Sequence, residues 1–281
     1  MDKARVTKPS TRQGYTGEDN ARAQAVCLFI ATKLGDLMDD IVIVGGLVPS
    51  MLIPDPPAGA PPHAGTADVD LGFGLAVLDD ERYSTIAERL RDAGFAPDKT
   101  EKGTESFQRW RLQPEGIVVD FLIQKLTDSD RPGTIKKLEP GFGALFVDGL
   151  DLAFKDRRKV TLNGRTIRNE VAERDIWVCG CGSFLVLKAF AHDSRGANKD
   201  AHDLCYVLQN YGAGIPDVVA ALKLLGDDAR VARTLTILQR DFTAIEHVGT
   251  MRAVQFEGGA DDQLAADIVG AVVAVLAALK S

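Results

Sequence analysis

The stretch "GTADVDLGF", residues 65–73, sets two aspartates one residue apart inside an apolar run. The alternation reads as a β-strand, where alternate side chains leave the same face, so Asp68 and Asp70 stand side by side. Like charges that close repel each other unless a cation or a donor lies between them. A solvated edge strand tolerates such a repeat without any function, so the surrounding sequence decides the reading.

Upstream, residues 21–38 place Val26, Phe29, Ile30 and Leu34 on one helical face. The β-branched run Ile41–Val44 then predicts a buried strand that ends in Gly45-Gly46, and Pro49 suits the first turn of a following helix. "PDPPAGAPPHAG", 54–65, has no periodicity and reads as a mobile loop insertion. Downstream, a helix is expected within 79–95. Two strands, "ESFQRWRL" (105–112) and "IVVDFLI" (117–123), follow around Pro114-Glu115-Gly116. "VTLNGRTIR" predicts a hairpin turning at Asn163-Gly164. From Ser183 onward the pattern is helical. Three parts are expected: a flexible tail over 1–20, an α+β domain over 21–181 and a helical C-terminal domain over 182–281.

The 281 residues, 45% hydrophobic and 26% charged, suit an ordinary globular protein of one large or two modest domains. A net charge of -7 argues against a protein coated in positive charge, so any polyanion must be met by a local patch such as Lys188 and Arg195. Cys27, Cys179, Cys181 and Cys205 form neither a disulfide framework nor a metal-binding spacing, and read as structural cysteines of a reduced, cytoplasmic chain. The polar first 20 residues lack a signal-peptide core, and the apolar run Ile268–Leu279 is shorter than a membrane span and reads as a buried helix. No membrane association is expected.

Asp120 interrupts the apolar strand 117–123, where an unpaired carboxylate is costly to bury. If that strand neighbours the Asp68/Asp70 strand, three carboxylates meet. Hard oxygen ligands of this kind suit Mg²⁺ and phosphoryl or nucleotidyl transfer. Gly45 and Gly46 would let backbone approach a phosphate, with the Ser50 hydroxyl nearby. On the later helix Lys188, His192 and Arg195 fall at i, i+4 and i+7 as one basic stripe, fit either to neutralise a triphosphate or to snorkel at the surface. Asp200 and Asp203 share a face and could hold Lys188 or Arg195, or merely decorate an exposed helix. His63, His202 and His247 suggest no ligand set; Trp110 and Trp177 read as core, and "EGGADDQ" (257–263) as a turn and helix cap.

With "VIVGGLVPSML", "ADVDLGF" and "VVDFL" in that order, the chain resembles the nucleotidyltransferase superfamily of the DNA polymerase β type. The gap from Gly46 to Asp68 is longer than usual there, which places the insertion at 54–65. "FLVLKAFAHDSRGANKDAHDL", 184–204, resembles the downstream motif of AbiEii/AbiGii-type toxin nucleotidyltransferases, with Lys188, Arg195, Lys199, Asp200 and Asp203 matching. The resemblances cover about 41–204. They imply an α+β polymerase-β-type fold and transfer of an NMP from an NTP to an acceptor. Asp68, Asp70 and Asp120 would be Mg²⁺ ligands, Lys188 and Asp200 catalytic, and Gly45, Gly46, Ser50, Lys188 and Arg195 would line the nucleotide. A tRNA end or protein hydroxyl is the implied acceptor, and a cognate antitoxin a possible partner. An aminoglycoside-type transferase and a catalytically silent nucleotide binder are the alternatives.

Overall fold

A computed structural model describes residues 9–74, 80–100, 103–125, 127 and 129–280. Helix α1 (Gly17–Leu34) starts earlier than the sequence reading placed it. Its start is a capping box, with Thr16 Oγ1 accepting from the Asp19 amide and Asp19 accepting from the Thr16 amide. Residues 9–16 pack ahead of it, so the free tail expected over 1–20 is not found over its described part; residues 1–8 lie outside the described chain.

Strand β1 (Ile41–Val44) runs antiparallel to β2 (Asp68–Phe73), joined by the five-residue helix α2 (Val48–Leu52) and the loop at 54–65. After α3 (Asp80–Asp92) come β3 (Phe95–Lys99), β4 (Glu105–Leu112) and β5 (Val118–Gln124), with β4 and β5 forming the hairpin expected around Pro114–Gly116. Strand β5 lies parallel to β2. A second hairpin, β6 (Ile135–Glu139) and β7 (Phe142–Val147), takes over from β4 along the far half of β5. Helix α4 (Leu150–Lys155), β8 (Arg157–Arg165) and β9 (Val171–Cys179) complete a mixed sheet of order β3-β4-β5-β2-β1-β9-β8. The β8–β9 hairpin turns later than predicted. Asn163 and Gly164 stay paired with Glu173 and Ala172, and Thr166 organises the turn by accepting from the Arg168 and Glu170 amides.

Strand alternation sorts the two faces of the sheet. Phe73, Trp110, Phe121 and Phe142 gather on one face in edge-on and stacked ring contacts, and Tyr83 of α3 covers them. Asp68, Asp70, Gly72 and Asp120 leave the other face. There Gly72 gives room to Leu150, so α4 lies on the carboxylate side. Trp110 is core as expected. Trp177 is not: half-buried, it carries the Arg157 and Lys159 cations over its ring.

The helical region comprises α5 (Cys181–Arg195), α6 (Asn198–Asn210), α7 (Ile215–Leu224), α8 (Ala229–Asp241), α9 (Val248–Glu257) and α10 (Asp262–Ala278). One buried apolar cluster runs from α1 through the sheet to α10, continuous across the expected boundary at 181/182. All four cysteines are free and buried, and burial pushes the Cys27 thiol up to about 12, in keeping with structural roles. Helix α10 buries Ile268, Val272 and Val275 along one side, and no helix among the described residues is long and apolar enough to cross a membrane.

Candidate active site

The parallel register of β2 and β5 sets Asp70 directly opposite Asp120, with Asp68 two residues along on the same face. The three carboxylates therefore share one patch of sheet. Asp68 and Asp120 are less than 10% exposed. Asp68 accepts a 2.5 Å hydrogen bond from the Thr66 hydroxyl. Both Asp120 oxygens accept from Arg109, Nε at 2.7 Å and Nη2 at 2.6 Å, because the β4–β5 hairpin places Arg109 directly across from it. That hydrogen-bonded pair, opposed by burial and helped by the charges of Asp120, Asp68 and Asp70, raises Arg109 above the ordinary arginine range. The sequence reading did not include Arg109.

The two glycines act as seats. At Gly45, with φ +74°, a Cβ would stand 1.8 Å from Asp70 Oδ2; at Gly46 it would stand 2.9 Å from Thr66 Oγ1 and 3.3 Å from Lys199 Nζ. Any side chain at Gly45 would displace the Asp70 carboxylate. Ser50 departs from its expected role: its hydroxyl donates to the Leu47 carbonyl at 2.9 Å, capping its own short helix.

Helices α5 and α6 bring up the opposing charge. Lys188 Nζ lies 3.0 Å from Asp200 and 2.7 Å from Asp203, and Arg195 forks onto Asp200 at 2.5 and 2.7 Å. Lys199 reaches both oxygens of Asp203 at 2.8 and 2.9 Å. Asp200 and Asp203 thus hold the cations, as one of the two sequence readings allowed. Lys188 is buried and cannot line an exposed basic patch; Arg195 alone of the pair keeps 57% of its side chain exposed. Burial by itself lowers an ammonium, yet Asp203 and Asp200 reverse this for Lys188 and raise it. Lys199 goes the other way, lowered by burial and by Lys188 despite Asp203. Burial opposes ionisation of Asp200, but Lys188 and Arg195 outweigh it and hold the carboxyl at about 2. His192 leaves the predicted stripe. It is buried and pairs with Asp241 at 3.2 Å, and desolvation lowers its pKa.

Two contributions come from segments read as uninvolved. His63, in the loop expected to be mobile, buries its ring against Tyr206 and His202, with centroids at 4.9 and 5.5 Å. Its Nδ1 accepts from the Gly65 amide at 3.0 Å, which leaves the proton on Nε2 to bond Asp203 at 2.8 Å. Burial, partly offset by Asp203, lowers His63 to about 4, so the ring is neutral. Tyr206 Oη further holds the Pro61 carbonyl at 3.1 Å, and Arg12 bonds the Pro62 carbonyl. The second half of the loop is thereby part of the packed structure. Tyr15, in the expected tail, lays its ring 5.2 Å from Lys199 Nζ. Its hydroxyl is buried with no hydrogen-bond partner among the described residues, and burial, then Asp203 and Asp68, raise its pKa.

Candidate ligand atoms of His63, His202 and Asp203 lie within 4.8 Å of one another. They form a hydrogen-bonded knot: His63 has both ring nitrogens engaged, Asp203 already faces two ammonium groups, and His202 Nδ1 pairs with Glu257 at 3.0 Å. The hard-ligand set is the other one, the three carboxylates of the sheet, whose chemistry suits a magnesium ion. No protein-family model matches the chain, and no curated protein matches it either.

Proposed function

We propose that the chain is a Mg²⁺-dependent nucleotidyltransferase of the polymerase-β type, transferring a nucleoside monophosphate from an NTP to a hydroxyl acceptor. The observation that supports this best is the Asp70–Asp120 register, with Asp68 on the same face and Gly45 making room for the Asp70 carboxylate. Asp68, Asp70 and Asp120 would hold the metal, which when bound supplies positive charge to the phosphate oxygens. The acceptor oxygen attacks the α-phosphorus, the bond to the bridging oxygen breaks, and pyrophosphate leaves with that electron pair. The acceptor proton passes to Asp120. Lys188, Lys199 and Arg195 are arranged to meet the charge that grows on the leaving group.

A tRNA end or a protein side-chain hydroxyl is the acceptor class in this reading, and a toxin held by a cognate antitoxin is the corresponding biological role. The test is to incubate the protein with each α-labelled NTP, Mg²⁺ and, in separate arms, total RNA, lysate protein and small aminoglycosides. Label transfer with release of pyrophosphate that Asp70→Asn abolishes supports the proposal, and the labelled arm assigns the acceptor. Nucleotide binding without turnover in any arm moves the reading to a silent nucleotide-binding protein.

A further inference from the structure

The sheet carboxylates carry three negative charges on one face, and Arg109 is built into the same face by the hairpin register. Arg109 fixes the Asp120 carboxylate through two parallel hydrogen bonds at 2.7 and 2.6 Å, a planar fork that sets the orientation of the group as well as its charge. Each carboxylate oxygen keeps a second lone pair, so a fork on one side leaves the other side of Asp120 able to ligate. Only a quarter of the Arg109 side chain is exposed, and Asp68 and Asp70 also act on its charge. The charge balance follows. Three carboxylates less one guanidinium leave two negative charges, which one divalent cation neutralises.

We propose that Arg109 is a positioning residue: it presents Asp120 for metal ligation and limits the sheet site to the charge that a single divalent cation balances. This rests on the metal-dependent transferase reading given above. A second ion, where the reaction uses one, then comes with the charge of the nucleotide triphosphate. The same strand supplies an internal control. Arg111 makes an equal fork onto Asp98, at 3.0 and 2.9 Å, outside the carboxylate triad.

The experiment is titration of the full-length protein with Mn²⁺ in the absence of nucleotide, followed by calorimetry, with turnover measured separately. Arg109→Gln should bind Mn²⁺ about tenfold more tightly than wild type, since a unit positive charge beside the site is gone. Its turnover should fall because Asp120 is no longer held. Arg109→Lys keeps the charge and loses the fork, so its Mn²⁺ affinity should match wild type while turnover still falls. Arg111→Gln should change neither. Thermal unfolding checks each variant, and Arg109→Met, which keeps the packing of the stem, carries the same expectation as Arg109→Gln if that variant does not fold. Unchanged Mn²⁺ affinity in the folded neutral variants overturns the proposal and leaves the transferase reading standing. Wild type that binds no more Mn²⁺ than Asp68→Asn overturns both.

Discussion

Along the sheet, Asp68, Asp70 and Asp120 gather like charges on one face, with one forked guanidinium on Asp120. In the helical layer each carboxylate is instead surrounded: Asp203 by Lys188, Lys199 and His63, and Asp200 by Lys188 and Arg195. The first arrangement concentrates charge and the second cancels it. Concentrated like charge costs stability and serves to attract a cation, whereas cancelled charge is what a buried layer needs in order to exist at all. Lys199, which reaches from α6 to Gly46, is where the two meet.

The contrast breaks first at the sheet. Asp70→Asn or Asp68→Asn should lower nucleotide transfer by roughly three orders of magnitude, about 4 kcal/mol of transition-state stabilisation. The thermal midpoint should move by no more than about 3 °C, because charge repulsion is relieved as a ligand is lost. Unfolding of both variants would show that the triad is structural.

The helical layer should respond in the opposite way. Asp203→Ala strips partners from Lys188, Lys199 and the His63 N–H inside the protein, at a cost of about 3–5 kcal/mol. Urea denaturation should register this whether or not nucleotide is present. A fall in activity with wild-type stability would place Asp203 in catalysis alone.

How much of this was legible in the sequence follows the range of the contacts involved. Alternation along "ADVDLGF" and "VVDFL" placed the carboxylates on one face, since a strand's period is local and only the pairing of the two strands had to be supplied. Counting outward from the Pro114–Gly116 turn also sets Arg109 opposite Asp120, so that signal was present and unused. The capping box at Thr16–Asp19 was likewise readable and contradicts a free tail over those residues. His63 was not readable, because its partner Asp203 lies 140 residues away and nothing in a Pro-rich loop marks which ring will be buried. His192 shows the complementary failure. Helical spacing put it in line with Lys188 and Arg195, but Asp241 of a later helix draws it elsewhere. At β8, Asn163-Gly164 has the composition of a turn, yet the ladder continues through it to Arg165.

A pH titration sharpens the same comparison. His63 is lowered from 6.5 to about 4, so between these values the unfolded ring takes up a proton that the folded one resists. The unfolded state binds more protons in that window, and stability therefore rises with pH across it. Between pH 7 and pH 5 the loss should be about 2 kcal/mol in wild type and largely absent in His63→Asn. Denaturant midpoints at the two pH values decide it. Equal slopes in both proteins would assign the pH dependence to other groups.

Tyr15 carries the smallest expected effect and separates burial from function most cleanly. Its hydroxyl is enclosed near the cation layer without a hydrogen-bond partner among the described residues, a situation that costs about 1–3 kcal/mol relative to a satisfied group. Removing that oxygen while keeping the ring leaves the contacts with Phe256 and Lys199 in place. Tyr15→Phe should then be neutral or stabilise the fold by up to about 1 kcal/mol. A group retained at such a cost is explained if substrate supplies the missing partner, as the oxygen atoms of a phosphate would. Nucleotide affinity should accordingly weaken about threefold to tenfold in Tyr15→Phe, the worth of one hydrogen bond. Stability and nucleotide affinity measured on the same preparations give the answer: a gain in stability with unchanged affinity would make Tyr15 a packing residue of the N-terminal segment and nothing more.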